Sequence, residues 1–251
     1  MSDTLLVVKG LRKSFGGVLA NDIESLAIHL GETHAIIGPN GAGKTTLISQ
    51  LAGESFPDSG DILYQKRSIT KLGPARRARL GIGRSFQITS ILFDLSVLDN
   101  VLLAVQAQCG HAYHFWGDAY ADRDSIKCAQ MYIRQIGLDN RVSSLARTLS
   151  HGEQRQLEIA VALAAGPRLL LLDEPMAGMG LRESEHMLSL LGQLKSHVTV
   201  LLVEHDMGAV FAIADRISVL VEGRVIATGT PEEIRINRQV EEAYLGESQK
   251  C

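Results

Sequence analysis

Residues 38–46 read GPNGAGKTT, and this glycine-rich stretch constrains the fold and chemistry of the chain more than any other feature. It matches the pattern G-x-x-x-x-G-K-[ST], follows the apolar run THAII and precedes the helical sequence LISQLAG, as a phosphate-binding loop requires. Glycines let backbone N–H groups turn inward around phosphates, and the helix N-terminus adds partial positive charge. We therefore predict a nucleoside triphosphate site formed by Gly38, Pro39, Asn40, Gly41, Ala42, Gly43, Lys44, Thr45 and Thr46.

Two acidic residues end a second apolar run, LLLLDE at residues 169–174. Beside a phosphate loop, Asp173 is expected to hold the metal's shell through water, and Glu174 to orient or deprotonate the attacking water. Lys44 would reach the β and γ phosphates, and the Thr45 hydroxyl would ligate Mg²⁺. Solvent-exposed acids at a strand end are the alternative interpretation of such a pair.

Two further side chains are candidates for the same site. His205 follows the apolar run VTVLLV, at the edge where open α/β sheets bind ligands, and could contact the γ phosphate. The alternative for His205 is a partly buried histidine bonded to backbone. Gln87, after GIGRSF, could touch Mg²⁺ or water, although a glutamine in that position carries no specific prediction by itself.

A second glycine-containing loop, TLSHGEQRQL at residues 148–157, has two interpretations. Ser150 and Glu153 form an S-x-x-E capping box before an amphipathic run, which stabilises a helix by about 1 kcal/mol without any ligand. Gly152, however, falls in the first helical turn, where glycine costs about 1 kcal/mol relative to alanine. That cost suggests close approach by another group, and a helix N-terminus is itself an anion site.

The order of apolar runs predicts an α/β fold. Runs at 33–37, 169–172, 198–203 and 217–221 alternate with helical segments, which indicates a mostly parallel sheet covered by helices. Runs at 5–8, 23–30 and 61–64 are short and turn-bounded, as in an antiparallel flank. We predict a single domain over residues 1–251, with an α/β core at 1–87 and 167–251 and an inserted helical subdomain at 88–166. Capping boxes are expected at Ser96 with Asp99 and at Thr230 with Glu233.

Composition excludes several classes of protein. With 25 basic and 28 acidic residues the formal net charge is −3, so no chain-wide positive field attracts nucleic acid. Solvated surface is the simplest explanation of a local basic patch at Arg76, Arg77, Arg79 and Arg84. The start MSDTLLVVKG predicts no secretory signal, and no apolar stretch approaches the ~20 residues that cross a bilayer.

The cysteines favour a reduced compartment. Three of them, without a CxxC pair, argue against a disulfide scaffold. A zinc site is conceivable, but the spacing fits no established zinc pattern in the four candidate ligands Cys109, His111, His114 and Cys128.

Five features of the chain, in their order along the sequence, resemble the ATP-binding cassette of ABC transporters. They are GPNGAGKTT, Gln87, LSHGEQ, LLLLDE and the histidine of EHD. The resemblance implies a P-loop NTPase core that binds ATP and Mg²⁺, with Phe15 of KSFGG stacking on adenine. It implies catalytic roles for Glu174, His205 and Gln87, and metal contacts from Thr45, Gln87 and Asp173.

The resemblance also explains the second glycine loop. In this family two cassettes face head to tail, and each signature loop caps the ATP held by the other cassette. Contacts in trans are thereby implied for Ser150, His151, Gly152 and Glu153, with His151 standing where the family's LSGGQ signature has its first glycine. Gly180 ends the sequence AGMG where the family usually has Asp, so a carboxylate that helps to couple the two sites is missing.

Four stretches resemble the cassettes of importers for branched-chain and other hydrophobic amino acids: LGIGRSFQ, the insertion after Val101, VEHDM and the C-terminal GTPEEIR…AYLGE. This likeness implies a second cassette, identical or paralogous, two transmembrane permease subunits and an extracytoplasmic substrate-binding protein, with no nucleic acid partner. The chain would sit peripherally on the cytoplasmic face of the inner (plasma) membrane. Alternatives are a urea or short-chain amide importer and a soluble ABC ATPase acting on nucleic acid or ribosomes. A P-loop kinase or GTPase would leave LSHGEQ and EHD unexplained.

Overall fold

A computed structural model describes residues 3–84, 91–108, 122–195 and 197–245. Its central feature is a six-stranded sheet in the order β10-β9-β3-β8-β7-β6, in which β10 pairs antiparallel with β9 and the other neighbours are parallel. The expected mostly parallel sheet is confirmed. Its strands are β3 Thr33–Ile37, β6 Ile82–Arg84, β7 Leu169–Asp173, β8 Thr199–Val203, β9 Arg216–Val221 and β10 Arg224–Gly229.

The expected antiparallel flank is a four-stranded sheet in the order β2-β1-β4-β5. Its strands are longer than the apolar runs because one face is exposed and polar, as at Lys9 and Arg12, while Val8 and Leu11 are buried. The strands are β1 Thr4–Phe15, β2 Val18–His29, β4 Ser59–Tyr64 and β5 Arg67–Ser68.

Helices cover both faces of the central sheet. Between β6 and β7 the described chain is helical, and α3, α4 and α5 pack on one another around Val101, Ile133 and Leu157. The helices are α1 Lys44–Ala52, α2 Pro74–Arg79, α3 Val97–Gln108, α4 Arg123–Gln135, α5 His151–Ala164, α6 Leu181–Leu194, α7 Met207–Ile213, α8 Pro231–Arg235 and α9 Arg238–Leu245.

Both predicted capping boxes outside the signature loop are present. The Ser96 hydroxyl accepts from the Asp99 N–H at 3.0 Å, and the Thr230 hydroxyl accepts from the Glu233 N–H at 3.3 Å. The expected boundaries of the helical subdomain, 88 and 166, remain a prediction. Among the described residues, none of the helices is both long and apolar enough to span a bilayer.

Strand β7 is held between two hydrophobic layers. Leu169 and Leu171 join the cluster formed with α1 and the antiparallel sheet, whereas Leu170 and Leu172 join the cluster formed with α3, α5 and α6. Because successive residues of a strand point to opposite faces, packing fixes β7 from both sides. The residues that follow it therefore project from a rigid position at the carboxyl edge of the sheet.

Candidate functional site

The phosphate loop joins the carboxyl end of β3 to the start of α1, and its conformation requires glycine. Gly38, Gly41 and Gly43 have φ values of 153°, 80° and 97°. A Cβ at Gly38 would lie 1.9 Å from the Leu220 carbonyl oxygen, and one at Gly43 would lie 2.2 Å from the Ala20 carbonyl oxygen. The loop is thus packed on β2 and β9 so closely that no side chain fits on that side.

Neighbouring strands brace this loop through hydrogen bonds. The buried Asn21 of β2 donates from Nδ2 to the Gly43 carbonyl at 3.1 Å, and the N–H of Gly223 donates to the Ala42 carbonyl at 2.9 Å. Lys44 folds back on the loop, with Nζ donating to the carbonyls of Gly38 at 2.6 Å and Pro39 at 2.9 Å. The ammonium group is therefore held inside the cradle where a phosphate chain would lie.

Asp173, the last residue of β7, is almost completely buried and faces a guanidinium. Arg84 of β6 donates from Nη2 to Asp173 Oδ2 at 3.3 Å. Burial raises the pKa of Asp173 above its ordinary value, although the charges of Arg84 and Lys44 act in the opposite direction. Asp173 and Lys44 therefore lie close enough for their charges to interact, as the predicted site requires.

The basic patch expected at the surface is partly wrong. Arg77 is fully buried and the Arg84 side chain is only 7% exposed, whereas Arg76 and Arg79 are exposed. Inside the protein, Arg77 donates to backbone carbonyls and Arg84 donates to the carboxylates of Glu54 and Asp173, so neither guanidinium forms a solvated face. Sequence reasoning misjudged them because charged residues are rarely buried unless such partners surround them.

Glu174 lies immediately after β7 in a left-handed backbone conformation, with φ 47°. A non-glycine residue in that region costs about 1–3 kcal/mol, and such residues cluster at functional sites. The N–H of Glu174 donates to the Val203 carbonyl at 2.9 Å, which anchors the turn to β8. Its half-buried side chain therefore leaves the alternating pattern of the strand and is directed by the turn.

His205 follows β8 and its side chain is 60% exposed, so the partly buried alternative is wrong. Its Nδ1 lies 3.6 Å from Oε2 of the buried Glu204, and the other oxygen of Glu204 accepts from the Met176 N–H at 3.1 Å. Burial raises the pKa of Glu204, although the backbone N–H groups of Met176 and His205 bond to its carboxylate and act against that rise. Glu204, which sequence reasoning missed, therefore links the turn after β7 to the backbone of His205.

Phe15 ends β1 and is 55% exposed, with Lys13 Nζ 5.3 Å from its ring centroid. Lys13 pairs with Asn21 across the β1–β2 hairpin, and Asn21 contacts the phosphate loop. The exposed ring therefore stands on the hairpin that braces the loop. Gln87 lies outside the described residues.

The signature loop starts α5 and has the predicted capping box. The Ser150 hydroxyl accepts from the Glu153 N–H at 3.2 Å, and the Glu153 carboxylate accepts from the Ser150 N–H at 2.8 Å. The expected close approach at Gly152 comes from this chain itself, since a Cβ there would lie 3.0 Å from the carboxyl group of Glu183. A cavity of about 180 Å³ lies beside this contact between α5 and α6, and Arg182 and His186 also line it.

The structure thus gathers most of the predicted groups at one edge of the sheet. β3, β8 and β7 are neighbours, and their carboxyl ends lead to the phosphate loop, His205 and the Asp173–Glu174 pair. The signature loop instead packs against α6.

The donors present suit the expected ligands. The glycine cradle around Lys44 presents backbone and ammonium donors to phosphates, and the Thr45 hydroxyl with the Asp173 carboxylate offers the oxygen ligands that Mg²⁺ prefers. In the described part of the chain, no group of three or more His, Cys, Asp or Glu residues could hold a metal ion. Cys109, His111 and His114 lie outside it, so the zinc interpretation stays untested.

Two family models match the chain: "ABC transporter" over residues 22–177 and "Branched-chain amino acid ATP-binding cassette transporter" over residues 224–249. The high-affinity branched-chain amino acid transport ATP-binding protein LivG of Salmonella typhimurium is 40% identical, over 99% of this chain and 100% of its own. BraF of Pseudomonas aeruginosa, a protein of the same description, is 37% identical over the same shares.

A solved structure supports the same relationship. The ADP conformation of MJ1267, an ATP-binding cassette of an ABC transporter, superposes with a TM-score of 0.84 at 28% identity, over 97% of this chain and 99% of that one.

Proposed function

The chain belongs to the ATP-binding cassette family of ABC transporters, and we propose that it energises an importer for branched-chain or other hydrophobic amino acids. As a family member it binds ATP and couples its hydrolysis to transport. One observation carries the assignment of cargo: the full-length similarity to LivG and BraF, whose names specify branched-chain amino acids. The match of residues 224–249 to the branched-chain model adds to that similarity outside the ATP-binding motifs.

ATP binding is assigned to the loop at residues 38–46, with Phe15 stacking on the adenine. Lys44 already lies within the loop, so its Nζ exchanges two carbonyl contacts for phosphate oxygens without moving far. The exchange favours binding because an ammonium bonds more strongly to an anionic oxygen than to a neutral carbonyl.

Mg²⁺ is assigned to Thr45, Asp173 and Gln87, of which Gln87 lies outside the described residues. A Mg²⁺ ion held by these residues would neutralise negative charge that develops on the phosphates during hydrolysis. The chain's own contribution is to hold Asp173 at the end of a strand packed from both faces. A carboxylate fixed in that way needs little reorganisation when the nucleotide arrives.

Hydrolysis is assigned to Glu174 and His205. Glu174 accepts the proton of the attacking water, and the exposed imidazole of His205 donates a hydrogen bond to the γ phosphate. The hydrogen bonds of Glu204 to Met176 and His205 support this assignment, because they link the turn carrying Glu174 to the residue carrying the imidazole.

A second cassette completes the site in this proposal. The signature residues Ser150, His151, Gly152 and Glu153 contact the ATP of the partner cassette, so two ATP molecules close a head-to-tail dimer. Closure moves the helices of two permease subunits at the cytoplasmic face of the inner membrane, and hydrolysis reopens the dimer. An extracytoplasmic binding protein delivers the cargo to the permease subunits.

Two alternatives lead to different expectations. A urea or short-chain amide importer would use the same ATP machinery, so cargo alone separates it from the proposal. A soluble ABC ATPase acting on nucleic acid or ribosomes is disfavoured by the net charge of −3 and by the burial of Arg77 and Arg84 in the basic patch.

The proposal is tested by uptake in cells that lack this chain. Deleting its gene in the organism that encodes it should abolish high-affinity uptake of radiolabelled leucine, isoleucine and valine. Wild-type protein should restore that uptake, Glu174→Gln should not, and urea uptake should remain unchanged. Loss of urea uptake with normal leucine uptake would select the amide alternative.

A further inference from the structure

Arg84 of β6 lies between two carboxylates next to the predicted metal site. Its guanidinium contacts Asp173 Oδ2 at 3.3 Å through Nη2, and Glu54 Oε2 through Nη1. Nη1 also donates to the Ser49 hydroxyl at 3.4 Å. Arg84 thus joins the last residue of β7 to the end of α1.

These contacts connect the two elements that carry the predicted metal ligands. α1 begins with Lys44 and Thr45, and Ser49 and Glu54 lie in and just after the same helix. Arg84 is itself positioned by pairing with Leu171 of β7, two residues before Asp173. One side chain therefore fixes the phosphate-loop helix relative to the acidic strand.

Burial strengthens the contact between Arg84 and Asp173 and limits the geometry that it can adopt. The side chains of Arg84 and Asp173 are 7% and 2% exposed, so little water competes for their contact. A guanidinium is planar and presents its donors in a rigid fork. Two carboxylates bonded to it are therefore held in a fixed position relative to each other. Glu54, at 33% exposure, supplies the second carboxylate from the wetter side.

We propose that Arg84 is a positioning residue for ATP hydrolysis: by bridging Glu54 and Asp173 it holds the Asp173 carboxylate in register with the Thr45 hydroxyl, so that both meet one Mg²⁺ with its water shell. The proposal rests on the proposed role of Asp173 at the metal. It differs from a competing role in which Arg84 occupies Asp173 until magnesium displaces it. The two roles predict opposite effects when the guanidinium is removed.

The experiment measures the affinity of the purified full-length chain for a fluorescent ATP analogue, once with Mg²⁺ and once with EDTA. The dissociation constant in EDTA divided by the dissociation constant with Mg²⁺ gives the ratio by which magnesium strengthens nucleotide binding. In Arg84→Met this ratio should fall about 10-fold, the usual range for losing a residue that orients a metal ligand. The EDTA affinity should change less than about twofold, because the glycine loop and Lys44 are intact.

Matched variants separate positioning from folding. Arg79→Met removes an exposed arginine of α2 and should leave the ratio unchanged. Arg84→Lys should recover part of the ratio, because an ammonium cannot span both carboxylates in the same geometry. Glu54→Gln leaves Arg84 and Asp173 in place and should lower the ratio less than Arg84→Met does. Because the Glu54 side chain is not deeply buried, this variant should fold normally.

Three results would overturn the proposal. An unchanged ratio in both Arg84→Met and Glu54→Gln would show that the bridge does not affect metal binding, and an increased ratio would establish the competing role. The third is a wild-type ratio close to 1, or a wild-type ratio that the substitution Asp173→Asn does not change. In that case the assigned magnesium site is wrong, and the proposed role of Arg84 is wrong with it.

Discussion

Glu174 combines a strained backbone with a position that an alternating strand could not provide. Its φ of 47° turns it out of β7, and its N–H is anchored to Val203 of β8. Strain of this kind persists only where the surroundings enforce it, and here two packed strands do so. The geometry therefore supports a dedicated role for this carboxylate in turnover.

We predict that Glu174→Gln binds ATP with nearly wild-type affinity but hydrolyses it at least ~10²-fold more slowly, because the amide cannot accept the proton of water. Glu185→Gln, at an exposed position of α6, is the matched control and should keep full activity. Lys44→Ala should instead lose affinity for ATP. Steady-state ATPase assays and nucleotide titration measure both quantities, and near wild-type turnover in Glu174→Gln would remove it from this role.

The predictable part of the site is the part whose chemistry is local in sequence. The phosphate loop and the Asp173–Glu174 pair are recognised because one short segment contains the whole pattern. Asn21 and Glu204 are not recognised, because each acts through a hydrogen bond to a residue 22 or 28 positions away along the chain. Arg84 reaches Asp173 across 89 positions, and only the folded sheet brings them together.

Helix α1 carries the phosphate loop at its start, and Arg77 of α2 holds its end. The buried guanidinium makes five hydrogen bonds, all to backbone carbonyls: Gln50 and Leu51 of α1, and Ile69, Thr70 and Leu72 of the segment before α2. A positive charge at a helix C-terminus is favourable, and these carbonyls would otherwise be buried with few donors. Burial lowers the pKa of Arg77 to about 10, so it stays protonated at neutral pH.

We predict that Arg77→Met lowers the free energy of unfolding by about 3 kcal/mol or more, because several buried acceptors lose their donor. For a chain of this size the melting temperature should fall by about 6–12 °C. The neighbouring exposed Arg76→Met should change stability by no more than about 0.5 kcal/mol. Thermal denaturation followed by circular dichroism compares the two, and equal melting temperatures would contradict the helix-capping role.

Burial explains which strands the sequence predicts. β3, β7 and β8 are buried at every position, so their apolar runs are continuous and easily recognised. β6 has three residues including Gly83, and the edge strand β10 is partly exposed, so neither has a recognisable run. In β1 the apolar run covers only the buried start of a 12-residue strand.

The signature loop lies on different elements from the groups at the carboxyl edge of the sheet. The phosphate loop, Asp173, Glu174 and His205 share the carboxyl edge of the sheet, whereas Ser150 and Gly152 lie at α5 against α6. A helix N-terminus built around a capping box still offers its partial positive charge outward. A second cassette facing this surface would use that charge on its own ATP.

We predict that purified Glu174→Gln shifts from 27.2 kDa toward twice that mass when Mg·ATP is added, measured by light scattering after size exclusion. Adding His151→Asp should abolish the shift, because a carboxylate at the exposed signature position would repel the partner's γ phosphate. The same substitution favours the helix, since a negative charge suits its first turn, so loss of dimerisation would not reflect unfolding. ATP-bound Glu174→Gln that stays at 27.2 kDa would contradict self-pairing, and the completing signature loop would then have to come from a different cassette.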